Sequence, residues 1–226
     1  MDQIADYKSG HRARLRERFL RTGVAGLHDY EVLELLLMYA IPRRDVKPLA
    51  KELLAHFGTL PKVIDATVEE LTAFPGIGEN AAGLIILTKQ VCGQYLEQQI
   101  RTVDVLDSAS KVINYLKMKL GGGKKEIFMV LFLDARSQLI GSEQFPGTVD
   151  RANVYTREVA EKCLLCRASS VILAHNHPTG VCEPSAEDRL LTHKLKTALS
   201  ALGISIHDHI IVCASSYYSM SAHKEL

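Results

Sequence analysis

Two histidines one residue apart, His175 and His177, follow the apolar run Val171-Ile172-Leu173-Ala174. A run of that length reads as a buried strand, and residues two apart on an extended chain point to the same side. Both imidazoles can therefore face one point. Pro178 and Gly180 turn the chain directly afterwards, which sets the pair at the edge of a cleft. Ser185 and Asp188 come next, at what reads as the first turn of a helix. A serine followed three residues later by an acid is also a helix-capping signal. Two imidazoles and a carboxylate suit zinc and leave a tetrahedral position for water. The iron facial triad uses the same residue types, and the residues alone leave that alternative open. An all-oxygen site is excluded. Zinc acidifies water and polarises a carbonyl, so the chemistry implied is hydrolysis, which also needs a base to take and return a proton.

Another zinc chemistry is base deamination, which uses a His-x-Glu followed by Pro-Cys-x-x-Cys. The residue two after His175 is His177, and Cys182 has no cysteine at the required spacing, so deamination does not fit. His207 and His209 form a second His-x-His pair, but no acid follows at the matching distance. Cys92, Cys163, Cys166, Cys182 and Cys213 are an odd, irregularly spaced set. They make a poor disulfide framework and fit a reducing cytoplasm. Cys163 and Cys166 read as core thiols on a helix.

The elements that must carry these residues are legible by periodicity. From about residue 101 the pattern mixes helix and strand. Ser108 to Leu120 repeats Val112, Ile113, Leu116 and Leu120 at helical spacing and ends at Gly121-Gly122-Gly123. Ile127 to Leu133 and Leu139 to Phe145 read as strands, Thr156 to Cys166 as a helix, and Val171 to Ala174 as a short buried strand. Ser185 to Leu202 reads as a long helix with Leu191, Leu195 and Leu199 on its buried face, and Ile204 to Cys213 as a last strand. The triple glycine follows a helix and lacks the lysine and hydroxyl of a phosphate loop.

The first hundred residues read as all-helical. Residues 8–21 carry Lys8, Arg12, Arg14, Arg16, Arg18 and Arg21 against a single acid, Glu17, with Leu15 and Phe19 on one face. Asp29 to Tyr39, with Asp29 as its cap, Pro48 to Phe57, and Val68 to Phe74 read as further helices. Phe74-Pro75-Gly76-Ile77-Gly78-Glu79 then leads into an Ala-, Leu- and Ile-rich helix over Asn80 to Tyr95. Such a turn between helices resembles the helix-hairpin-helix module, whose exposed N–H groups donate to phosphate, and the same turn also serves protein–protein packing. The polar residues 97–104 mark the expected boundary, giving domains 1–100 and 101–226. The 226-residue chain is 47% hydrophobic with a formal net charge of +1, so overall charge does not argue for nucleic acid. No apolar run approaches the ~20 residues of a membrane span, and no secretory leader is read at the start. A cytoplasmic, non-membrane protein is expected.

His175-x-His177, seven intervening residues, Ser185, two residues and Asp188 match the JAMM/MPN+ metalloprotease motif at every spacing. The wider context resembles the bacterial RadC family, also called UPF0758, in its His-Asn-His-Pro-Thr-Gly run, its Pro-Ser-x-x-Asp string and its late Asp208-His209-Ile210-Ile211 segment. The resemblance implies an α/β fold class: a JAMM-type domain with a cytidine-deaminase-like layered sheet, preceded by a small all-α domain. It implies Zn2+ held by His175, His177 and Asp188, with a peptide or protein as substrate. It places the general base at Glu126, directly before the strand that follows the first helix of the domain, with Glu158 as the next candidate. It makes Ser185 a donor to the developing oxyanion, an interaction worth ~3 kcal/mol. Asp208 and His209 either support the ligands or simply satisfy each other, and Asn176 and Thr179 shape the loop. The competing reading is a DNA-repair-associated module. In that reading the helical domain contacts DNA or RNA backbone without sequence preference, and the metal domain is a scaffold.

Overall fold

The computed structural model describes residues 2–146, 152–213 and 216–226. It divides into two units, Met1–Val91 and Cys92–Leu226.

The first unit is helical: α1 (Asp2–Thr22), α2 (Asp29–Ala40), α3 (Lys47–Phe57), α4 (Leu60–Asp65), α5 (Val68–Ala73) and the start of α6 (Glu79–Arg101). Its core is built from Leu33, Leu37, Leu53, Val63, Leu71 and Ile85, all essentially fully buried. The cap of α2 is His28 rather than Asp29: the Glu31 carboxylate accepts the His28 N–H at 3.0 Å and closes the first turn. The short α4 was not anticipated, because only Val63 of its six residues is fully buried and no periodicity shows.

Much of the basic run on α1 is spent inside the unit. Arg18 pairs with Glu31, and His11 Nε2 meets the buried Glu34 carboxylate at 2.8 Å. Arg12 donates to the carbonyls of Ile41, Pro42 and Arg44. Between α5 and α6 the chain turns through Gly76, whose φ of +90° favours glycine. Ala81 and Ala82 then donate to the Gly78 carbonyl at 3.0 Å, starting α6.

The second unit is a mixed five-stranded sheet between helices. In chain order its elements are α7 (Ala109–Leu120), β1 (Ile127–Leu133), β2 (Leu139–Pro146), α8 (Ala152–Cys166), β3 (Ser170–Asn176), α9 (Ala186–Ser200), β4 (Ser205–Val212) and β5 (Tyr217–Ser219). The sheet order is β2-β1-β3-β4-β5, with β3 and β4 parallel and the other pairs antiparallel. Val112, Tyr115, Leu116 and Leu120 of α7 share one core with Met129, Leu131, Ile172 and Ala174. Val159, Cys163, Leu191, Leu195 and Leu199 of α8 and α9 share another with Phe128, Val130, Phe132 and Leu173. The central strands are covered on both faces, which is why they read as continuous apolar runs rather than alternating ones.

Three expectations are corrected. The helix read over Asn80 to Tyr95 runs further, since α6 continues to Arg101, into the polar stretch. Glu97 there accepts from Tyr115 Oη at 3.1 Å and pairs with Arg101 at 2.8 Å, and burial pushes the Tyr115 phenol up to about 12. The cysteines are not all free: Cys182 and Cys213 form a disulfide. They lie 31 residues apart, but parallel β3 and β4 end side by side at Asn176 and Val212, so the segments that follow meet. Cys163 is a core thiol as expected, whereas Cys166 is exposed. β5 is a three-residue edge strand, too short to show a period. Among the described residues, no helix is long and apolar enough to cross a membrane.

Candidate metal centre

Strand register assembles the site. In the β1–β3 pair Phe128 lies opposite His175. Two further residues in the same register set Glu126 across from His177. Alternation then puts Glu126, Phe128, His175 and His177 on the face covered by α8 and α9. Asp188 reaches the same place from the first turn of α9, whose N-cap is Ser185. Ligand atoms of Glu126, His175, His177 and Asp188 all lie within 4.8 Å of one another. His175 and Asp188 are buried, and Glu126 and His177 half-buried.

Distances decide whether the set fits zinc. Ligands 2.0–2.1 Å from a tetrahedral zinc ion sit about 3.3 Å apart. His175 Nε2 to Asp188 Oδ1 is 3.3 Å and His177 Nε2 to Asp188 Oδ2 is 3.4 Å. The two Nε2 atoms, in hydrogen-bond contact at 2.8 Å, are closer than this and would part by about half an ångström around a bound ion. Two imidazoles and a carboxylate of this spacing fit the ion.

The hydrogen bonds behind the ligands fix their tautomers. His177 Nδ1 meets the Val181 carbonyl at 2.7 Å. A carbonyl only accepts, so Nδ1 carries the proton and Nε2 keeps its lone pair for a metal. For His175 the chain is longer. Thr192 Oγ1 donates to the Asp188 carbonyl at 2.6 Å and must therefore accept from His209 Nδ1, also at 2.6 Å. His209 Nε2 is then unprotonated and accepts from His175 Nδ1 at 2.8 Å, which turns His175 Nε2 toward Asp188 and the site, where a metal would replace any proton on it. His209 is fully buried. Burial first, and His175 next, hold its pKa well below the ordinary imidazole value, so it stays neutral as this chain requires.

Asp188 is oriented from Ser185. Its Oδ2 accepts the Ser185 N–H at 2.8 Å and the Ser185 hydroxyl at 2.7 Å. Its own N–H returns to Ser185 Oγ at 3.1 Å. Burial opposes ionisation of Asp188, but His175 and the two Ser185 donors outweigh it and hold the carboxyl well below the usual carboxylate range. The disulfide closes the loop that follows His177 and carries Val181.

Of the remaining expected residues, His209 supports His175 directly. Asp208 reaches no ligand: it accepts from the His209 N–H at 2.7 Å, Ser219 Oγ at 2.6 Å and Ser221 N at 2.9 Å, holding the turn after β5. Glu158 is exposed and is not part of the cluster. Thr192 was missed by sequence reasoning. It stands four residues after Asp188 on one helix face, and that spacing was the available signal.

Such a centre, held between a strand end and a helix start on a mixed sheet, defines a JAB/JAMM-type domain. Residues 106–226 match the family model described as the RadC-like JAB domain, and residues 7–83 match the model of the UPF0758 N-terminal region. The chain belongs to the UPF0758/RadC family. A UPF0758 protein of Ruegeria pomeroyi is 40% identical over 97% of this chain and 98% of its own. One from Paraburkholderia phytofirmans is 39% identical over 91% and 80%, and one from Fusobacterium nucleatum 37% identical over 93% and 94%.

Two outcomes follow from the tautomer chain and the carboxylate. His209→Ala lowers zinc affinity by about 10–100-fold, read by competition with a chromophoric chelator; unchanged affinity would show that the chain does not set His175. In chelator-treated protein, the depressed Asp188 pKa stabilises the fold fully above its ordinary value of 3.8 and progressively less as pH falls below it. Urea unfolding between about pH 5 and 2 should show this acid slope reduced in Asp188→Asn.

Proposed function

We propose that the chain is a zinc-dependent hydrolase of amide or isopeptide bonds, a JAMM-type metallopeptidase acting on a peptide or protein. The observation that carries this reading is the convergence of one further carboxylate, Glu126, on the three-ligand set. Three ligands alone describe a metal site; a fourth, half-buried acid within reach of the same point supplies the proton carrier that hydrolysis needs. The layering of the mixed sheet, with β3 and β4 parallel at its centre, supports a cytidine-deaminase-like fold for this unit.

Zinc, when bound by His175, His177 and Asp188, supplies a Lewis acid that polarises a carbonyl and acidifies water. Glu126 takes a proton from the attacking water and returns it to the leaving nitrogen. Water thus adds across the C–N bond and the carboxylate ends as it began. Ser185 has one hydroxyl proton, engaged with Asp188 Oδ2. Its backbone N–H holds the same oxygen independently, so the hydroxyl is free to turn toward a developing oxyanion without releasing Asp188.

A second reading concerns the helical unit alone. An open cleft of about 400 Å³ lies at the α6 start, lined by Ala40, Ile41, Gly76, Gly78, Glu79, Asn80 and Ala81. Its shape and the N-terminus of a long helix support backbone contact with DNA or RNA, as in helix-hairpin-helix modules. That unit would bring the hydrolase to its substrate.

Two experiments test these readings. Against a peptide and isopeptide library, wild type should cleave and Glu126→Gln should bind about one zinc per chain yet lose at least ~10²-fold in turnover. Full cleavage by Glu126→Gln would remove the base assignment, and absence of zinc from the wild type would remove the hydrolase. For the helical unit, DNA binding should weaken with salt and fall when Arg16 is neutralised or Gly78 is replaced. Binding insensitive to both changes would rule that contact out.

A further inference from the structure

Asn176 stands between the two histidine ligands in the chain and, by strand alternation, faces the opposite side of the sheet, toward α7. It is 3% exposed, and its amide is fully committed. Oδ1 accepts the Ile127 N–H at 2.8 Å. Nδ2 donates to the Lys125 carbonyl at 3.0 Å and the Gly123 carbonyl at 3.3 Å. Two of these three groups flank Glu126. The β1–β3 pairing ends at Phe128 and His175. One residue further on, the Asn176 side chain takes the place of the missing backbone rung.

We propose that Asn176 is the positioning residue that holds Glu126 against the ligand pair, an inference that rests on the hydrolase reading above. The chemistry demands a primary amide at this position. It must accept from one peptide N–H and donate to two carbonyls at once, and aspartate, serine and alanine each lack part of that set. Because the Asn176 backbone also links His175 to His177, one residue fixes base and ligands in a common frame. An orphaned Ile127 N–H, or an unpaired Lys125 carbonyl, frees the one segment on which Glu126 hangs.

The test uses the full chain loaded with zinc, in the variants Asn176→Ala, Asn176→Asp and Gly123→Ala. The last keeps the asparagine but brings a Cβ to 3.2 Å from its Nδ2, crowding the amide from outside. Three readouts are taken: zinc per chain, amide hydrogen exchange at Ile127 against Val130 and Leu173, and turnover on substrates from the library. All variants should keep about one zinc. Ile127 should exchange at least ~10-fold faster in the Asn176 variants, with Val130 and Leu173 unchanged. The kcat should fall about 10²-fold at constant KM, with a smaller loss for Gly123→Ala. Unchanged Ile127 exchange overturns the proposal, as does loss of zinc in step with turnover, which would make Asn176 a support of the ligands. If the Asn176 variants do not fold, Gly123→Ala decides by the same criteria. A wild type that cleaves nothing fails the hydrolase reading, while exchange and zinc content still report whether Asn176 holds the Glu126 segment.

Discussion

Phe128 pairs with His175 where antiparallel β1 and β3 run out, and the site inherits its geometry from that register. Strand alternation sends His175, His177 and Glu126 to one face and Asn176 to the other. A slip of one residue would exchange the faces and scatter the ligands. The slip is opposed by the cores on both sides of the sheet, where Met129, Leu131, Phe128 and Val130 are each locked by helices. The apolar interior thus supplies the positional accuracy that a metal centre needs, and the polar residues add direction to it.

Direction comes from proton placement. A backbone carbonyl of Asp188 begins a chain through Thr192 and His209 that aims His175 Nε2 into the site, and a second carbonyl, of Val181, does the same for His177. Both chains end on backbone carbonyls, which only accept, so each Nδ1 is held in place and each Nε2 is turned toward the site. Ser185 orients Asp188 by two donors to one oxygen, leaving the other oxygen 3.3 Å from His175 Nε2. A ligand set arranged in advance loses little freedom on binding metal.

The histidine and aspartate members of the cluster are legible in the chain because each sits at a point where local chemistry is distinctive. His-x-His after an apolar run has a two-residue period, and Ser-x-x-Asp is a helix start; family resemblance added Glu126, which has no distinctive neighbours of its own. What stayed hidden depends on contacts between distant segments. The Cys182–Cys213 bridge follows from parallel strands meeting at their ends, and no spacing announces it. Asn176 looks like a loop residue until the β1 backbone is laid beside it. The sequence shows the arginines of α1 only as a basic cluster with one acid among them, yet Arg12 and Arg18 are partnered within the helical unit. Helices with a strong apolar face were readable, whereas α4 and β5 are held by their surroundings and carry little pattern of their own.

The central claim is that His175, His177 and Asp188 hold one zinc ion with Glu126 beside it. Anomalous diffraction at the zinc edge, on crystals of the untagged protein grown without added chelator, tests it most directly. The account predicts a single strong peak per chain, 2.0–2.1 Å from both Nε2 atoms and from an Asp188 carboxylate oxygen, with the Glu126 carboxylate outside bonding distance. A peak held by other residues, or Glu126 bound in place of Asp188, would contradict it.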